Sequence, residues 1–193
     1  MKLFKNFLLI AVITVLTSAD TAVKNTYILS KGYTVGIHGT SNLHDWDESV
    51  ASVTGDGAVD WNSDGSFDLT AMNIKMEVHS IKSTEGSIMN NNTYKALKAD
   101  SNPEITFALT TPVKSIPSGS HVIAAKINLS IAGVTKAIDM SVTATAQAHG
   151  DITFEGSKNS HTYGSCTNNS YGITGFYLAI QNATLKTGWQ NIA

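Results

Sequence analysis

Residues 122–148 read VIAAKINLSIAGVTKAIDMSVTATAQA, and this stretch decides the fold. Apolar residues occupy every second position from Ile123 to Ile131 and again from Ile138 to Ala146. Because successive side chains of a β-strand point to opposite faces, a period of two indicates two strands that each bury one face. The AGVTK segment at 132–136 marks the turn between them.

The same period recurs in three earlier segments: YTVGIHG at 33–39, FDLTAMNIKMEV at 67–78 and EITFALTTPV at 104–113. In the second segment, one face carries Phe67, Leu69 and Ala71, and Ile74, Met76 and Val78 follow with the parity changed. A β-bulge near Asn73 would produce that change. Turn signals separate the strands by about 8–12 residues, a spacing that indicates an antiparallel sandwich or barrel.

One segment between the strands lacks alternation. Residues 87–100, SIMNNNTYKALKAD, place Tyr94 and Leu97 three positions apart, and Pro103 follows shortly after. This spacing predicts a short helix that ends before the proline. We find neither an internal repeat nor a linker, so we expect residues 20–193 to form one domain.

The N-terminus predicts export. A basic start at residues 1–6 precedes the apolar run FLLIAVITVL at 7–16 and the small residues at 17–19. This order is typical of a secretory signal peptide, and the run is too short to cross a bilayer of about 30 Å. We therefore expect residues 1–19 to be a signal peptide. The mature chain is then periplasmic or secreted, with no stable membrane span.

The net charge and the cysteine count limit the partners and the covalent cross-links that the sequence allows. The formal net charge is −2, which gives no electrostatic reason to expect nucleic acid as a partner. Cys166 is the single cysteine, so an intramolecular disulfide is excluded.

Three segments together resemble successive blocks of the YceI-like family. They are HGTSNLHDW at 38–46, NNNTYKALKADSNPEITFAL at 90–109 and AAKINLSIAGVTKAIDMSV at 124–142. The resemblance covers residues 26–156. It implies an exported, lipocalin-like, antiparallel barrel of eight strands with one short helix, which holds a polyisoprenoid chain inside.

The C-terminal part departs from that family. YceI-like proteins usually show a proline pair before their last strand, whereas no proline follows Pro117 here. The sequence therefore leaves open a barrel whose last strand is missing or shortened.

The proposed ligand is a long apolar chain, an isoprenoid or another apolar lipid. Small and flexible apolar residues leave room for it inside a barrel of this size. The predicted ligand-binding residues are Val35, Ile37, Leu43, Trp46, Leu69, Ile74, Met76, Phe107, Leu109, Ile127 and Leu129. The alternative is a filled β-sandwich that binds protein or carbohydrate on its surface. A homodimer is left open.

The segment HGTSNLHDWDESV at 38–50 is the densest group of reactive side chains. A hydrolase that uses His44 is the third interpretation. However, His44 and Asp45 would point to opposite faces of an extended strand, and the histidines of the chain are scattered without metal-ligand spacing. We therefore expect no enzyme activity, no catalytic residue, no metal and no cofactor. We interpret the segment as a corner near the barrel mouth, where His44 could touch a ligand headgroup.

Overall fold

The computed structural model describes residues 25–41, 45–146, 149–159 and 173–187. The predicted signal peptide and the predicted roles of Leu43, His44 and Cys166 lie outside the described residues. The described strands are β1 (Asn25–Leu29), β2 (Thr34–Ser41), β3 (Asp45–Val50), β4 (Val53–Trp61), β5 (Phe67–Glu77), β6 (Ile81–Ser83), β7 (Glu104–Leu109), β8 (Val113–Ile116), β9 (Gly119–Ile131), β10 (Val134–Ala146), β11 (Ile152–Asn159) and β12 (Ile173–Thr187). The α-helix α1 spans Ser87–Ala96, and a 3₁₀ turn spans Val78–Ser80.

These strands fill eight strand positions that follow one another around a closed barrel. Each of the first four positions holds two short consecutive strands: β1 with β2, β3 with β4, β5 with β6, and β7 with β8. The other four positions are single strands, β9, β10, β11 and β12, and all neighbouring pairs are antiparallel. The predicted all-β barrel with one helix is therefore confirmed, and the β-sandwich fold of the alternative is wrong.

The last strand closes the barrel. β12 is 15 residues long. It pairs with β11 on one side and with β1 and β2 on the other. The expectation of a missing or shortened last strand is therefore wrong, because these ladders leave no free edge at the position of closure.

A β-bulge in β5 changes which residues face the interior. Ala58 pairs with Ala71 and Val59 pairs with Leu69, so Thr70 is the extra residue. Its hydroxyl group donates a 3.1 Å hydrogen bond to the carbonyl oxygen of Ala58. The predicted parity change is real, but the bulge lies before the expected position near Asn73. Met72 takes the inward position in place of Ala71.

Both ends of the barrel are tightly packed. At the end that carries the turn at 62–66, which we call the turn end, Tyr27, Phe67 and Leu185 are almost fully buried. The indole Nε1 of Trp61 donates a 2.8 Å hydrogen bond to the Tyr27 hydroxyl oxygen there. The opposite end, which we call the helix end, carries α1. The predicted helix is confirmed, and Thr93 and Ala96 are its buried residues.

Candidate functional site

Unfilled space remains in the middle of the barrel, between its two packed ends. The cavity measures about 590 Å³, including its mouth toward solvent. Side chains from β5, β7, β9, β10, β11 and β12 form its wall. Part of this volume is open to solvent and is not enclosed by the wall.

The described residues that line the cavity are all apolar. Of the predicted ligand-binding residues, Leu69, Ile74, Phe107, Leu109 and Ile127 line it. The other lining residues are Met72, Ile123, Ala125, Met140, Val142, Phe154, Gly156, Ile180 and Ala183. None of these residues carries a charged or hydrogen-bonding side chain, so a water molecule inside would find few polar partners. The cavity is therefore suited to an apolar ligand.

The remaining predicted ligand-binding residues do not line this cavity. Val35, Ile37, Trp46, Met76 and Leu129 are buried in the core. Met76 and Leu129 each lie one inward position closer to the helix end than a lining residue, since they follow Ile74 and Ile127 along their strands. Leu43 lies outside the described residues. Contact of any of these residues with a ligand stays a prediction.

A second bulge determines how β12 contributes to the cavity. Phe154 pairs with Ala183 and Gly156 pairs with Ile180, so β12 has one residue more than β11 across this interval. Asn182 takes a positive φ of 54°, a conformation that asparagine tolerates better than most residues. The bulge brings both Ile180 and Ala183 to the interior. The sequence alternation alone does not find this pair, although the polar residues Gln181 and Asn182 interrupt the apolar pattern there.

The wall between β10 and β11 is paired over only part of its length. The ladder runs from Val142 and Gly156 to Ala146 and Ile152 at the turn end. Toward the helix end, within the described part of the chain, no ladder joins the two strands. There the Nζ of Lys158 donates a 2.8 Å hydrogen bond to the carbonyl oxygen of Asp139, which bridges the two strands.

The side chains of the 38–50 segment alternate along β3 between the inner and the outer face of the barrel wall. On β3, Trp46, Glu48 and Val50 are buried, and the residues between them are exposed. Nδ1 of His38 lies 2.9 Å from Oδ1 of Asp47 on the exposed face. In the described ranges, no group of three or more His, Cys, Asp or Glu side chains is arranged to hold a metal ion. His44 lies outside them.

Glu48 is the charged residue of this segment that enters the interior. It is only 4% exposed, and its Oε1 accepts a 2.6 Å hydrogen bond from the Thr93 hydroxyl group. Burial raises the pKa of Glu48; the Thr93 hydrogen bond lowers it in part, and the nearby Glu85 raises it further. No described residue gives a hydrogen-bond partner to Oε2 of Glu48 or to Nε1 of the neighbouring Trp46.

The comparisons with known proteins agree with this architecture. The sequence model of the YceI-like domain matches residues 28–185. The chain belongs to the YceI-like family. The match continues beyond residue 156 into the C-terminal part, where the sequence departs from the family's usual proline pattern. This agrees with a complete barrel. No curated protein sequence matches this YceI-like chain significantly.

Several solved structures share the YceI-like fold. A polyisoprenoid binding domain from Saccharophagus degradans, implicated in plant cell wall breakdown, is 11% identical with a TM-score of 0.62, and the alignment covers 85% of this chain and 99% of that one. BcnA of Burkholderia cenocepacia is 14% identical with a TM-score of 0.59, over 80% and 96% of the two chains. A YceI protein of Campylobacter jejuni is 18% identical with a TM-score of 0.52, over 69% and 81%.

These identities are low, so the structural matches establish the fold alone. In the described part of this YceI-like chain, no helix has the length and apolar character that a membrane span requires.

Proposed function

We propose that this protein binds a long apolar chain of the isoprenoid type in its barrel and sequesters or carries that lipid. The observation that carries the proposal is the wall of the central cavity, in which no described residue has a charged or hydrogen-bonding side chain. The polyisoprenoid binding domain of Saccharophagus degradans, which has a similar fold, supports the choice of lipid.

Burial of apolar surface supplies the binding energy. At about 25 cal/mol per Å², every patch of about 100 Å² of apolar ligand surface that the protein covers gives about 2.5 kcal/mol. Association costs of about 4–15 kcal/mol oppose that gain. A short apolar molecule therefore binds weakly, and a long chain is needed for tight binding.

The proposed action involves no covalent chemistry. The described histidine–carboxylate pairs are on the surface: His38 and Asp47 are 45% and 77% exposed, and His79 Nε2 lies 3.9 Å from Oδ1 of Asp100. Neither pair contacts the cavity. A His44→Ala variant that lost a measurable turnover would favour a hydrolase instead.

Export is the second part of the proposal. Its support is the basic start, apolar run and small residues of positions 1–19. We expect the full chain to be processed near Asp20 and recovered outside the cytoplasm. A chain that lacks residues 2–19 should stay in the cytoplasm. Equal recovery of both chains outside the cytoplasm would contradict the proposal.

Native mass spectrometry tests lipid binding in the protein as it is made. The protein is purified from a host whose membranes contain prenyl lipids, and its bound molecules are then extracted with organic solvent. We expect an added mass that disappears on extraction and is recovered as a prenyl lipid. A protein that carries no lipid, and that also refuses added prenyl lipids, would contradict the proposal.

A further inference from the structure

Two residues at successive inward positions of β3 each carry a buried polar atom. Trp46 and Glu48 are 5% and 4% exposed. Oε1 of Glu48 is paired with Thr93, whereas no described residue pairs with Oε2 of Glu48 or with Nε1 of Trp46. The two residues are two positions apart on one strand, so their Cα atoms are about 7 Å apart.

These unpaired atoms are costly for a structural role alone. A buried polar atom without a partner costs about 1–3 kcal/mol, and most buried polar groups in proteins are paired. Val50, the next inward residue on β3, shows that an apolar side chain fits this face. An indole N–H and a carboxyl oxygen together provide a hydrogen-bond donor and an acceptor, which is what a small polar group of a ligand requires.

The polar atoms lie on the inner face of the barrel, closer to the helix end than the lipid cavity. The cavity-lining residue Ile180 pairs with Val35 across β12 and β2. Ile37 is the next inward residue of β2, and it pairs with Glu48. Along this route, the buried aliphatic residues Val35 and Ile37 lie between the cavity wall and Glu48. A chain that occupies the cavity has to displace these side chains and extend by about 7 Å, the spacing of two residues along a strand, to reach the level of Glu48, and by about 7 Å more to reach the level of Trp46.

We propose that Trp46 and Glu48 form the headgroup site of the lipid, and that this site takes a neutral hydroxyl group at the end of the apolar chain. The inference rests on the proposed lipid-binding function. The hydroxyl oxygen accepts a hydrogen bond from Nε1 of Trp46, and the hydroxyl group donates one to Oε2 of Glu48. Both unpaired atoms are then satisfied by one group. A phosphate headgroup is disfavoured, because it would meet the Glu48 carboxyl group and the nearby acidic Glu85.

Two probes that differ only in the hydroxyl group test the headgroup site: phytanol and the corresponding hydrocarbon, phytane. The net free energy of two hydrogen bonds should make the wild-type protein bind phytanol about tenfold more tightly than phytane. We expect Trp46→Phe to reduce this preference to about threefold or less, because the ratio of the two dissociation constants isolates the contribution of the hydroxyl group. Glu48→Leu should do the same by removing the acceptor.

Trp61→Phe is the matched control, because Trp61 lies at the turn end and its Nε1 is already paired with Tyr27. It should keep the full preference for phytanol. Equal affinity of the wild-type protein for both probes overturns the headgroup site and leaves lipid binding in place, as does a preference that survives both Trp46→Phe and Glu48→Leu. Tighter binding of phytanyl phosphate than of phytanol overturns the neutral headgroup. Failure to bind either probe overturns the proposed function as well.

Discussion

The hydroxyl group of Thr93 on α1 donates a 2.6 Å hydrogen bond to Oε1 of Glu48 on β3. Each of the two residues is 4% exposed. This contact joins the helix to the inner face of the barrel wall, next to the proposed headgroup site. Short hydrogen bonds to a carboxyl group are among the stronger ones in proteins, so we expect this bond to hold α1 in place over the helix end.

The first prediction concerns the coupling between these two side chains. Thr93→Val should lower the free energy of unfolding by about 1–3 kcal/mol, because it leaves a second oxygen of Glu48 unpaired. The same substitution in a Glu48→Leu background should cost clearly less, because the partner is already gone. Urea unfolding of the four proteins measures the coupling. An equal cost of Thr93→Val in both backgrounds would show that the hydrogen bond contributes nothing.

The second prediction concerns the pH dependence of stability. Burial raises the pKa of Glu48, so the folded protein binds a proton at a pH where the unfolded chain, with a pKa of about 4.3, has lost it. The free energy of unfolding therefore falls as the pH rises through this window, and the penalty remains above it. Glu48→Gln cannot ionise. Its stability relative to the wild-type protein should therefore increase between about pH 4 and about pH 8.

Urea midpoints of both proteins across that range provide the measurement. The Thr93→Val variant should show a stronger fall in stability, since the Thr93 hydrogen bond lowers the pKa of Glu48. A stability difference between Glu48→Gln and the wild-type protein that stays constant with pH would contradict the prediction.

The third prediction concerns the close approach of Trp46 to β2. A Cβ atom at Gly39 would overlap the indole ring of Trp46, which is rigid and buried. Gly39→Ala should therefore lower the free energy of unfolding by about 1–3 kcal/mol, as overpacking of a core does. Gly36 lies on the same strand, and a Cβ atom there has no neighbour within 4 Å. Gly36→Ala is thus the control, and equal urea midpoints for the two variants would contradict the structure at this position.

The regular parts of the barrel were predictable from the sequence because alternation alone determines them. Along β9, the inward positions from Ile123 to Ile131 are buried, as the period of two indicates. The bulges at Thr70 and in β12 were not located correctly, because one extra residue shifts the parity without a residue type that marks its position. Met72, Ile180 and Ala183 were therefore absent from the predicted site.

The inner face of β3 was predictable in part. Trp46 was expected in the interior, and Glu48 has the same parity. Glu48 nevertheless had no predicted role, because an acidic residue among exposed polar residues is usually on the surface. Its partner Thr93 is 45 positions away. Sequence periodicity describes single strands and helices, so it does not predict a contact between β3 and α1.

The most direct test of the central claim is the affinity of the purified, delipidated protein for a long prenyl alcohol when the cavity is filled. Ala125 lines the cavity, whereas its neighbour Ala124 is exposed on the outer face of β9. Ala125→Phe should weaken binding by about tenfold or more, because its ring takes the space of the ligand and displaces apolar contact. Ala124→Phe should leave the dissociation constant unchanged. A folded Ala125→Phe variant that binds the prenyl alcohol as tightly as the wild-type protein would contradict the account.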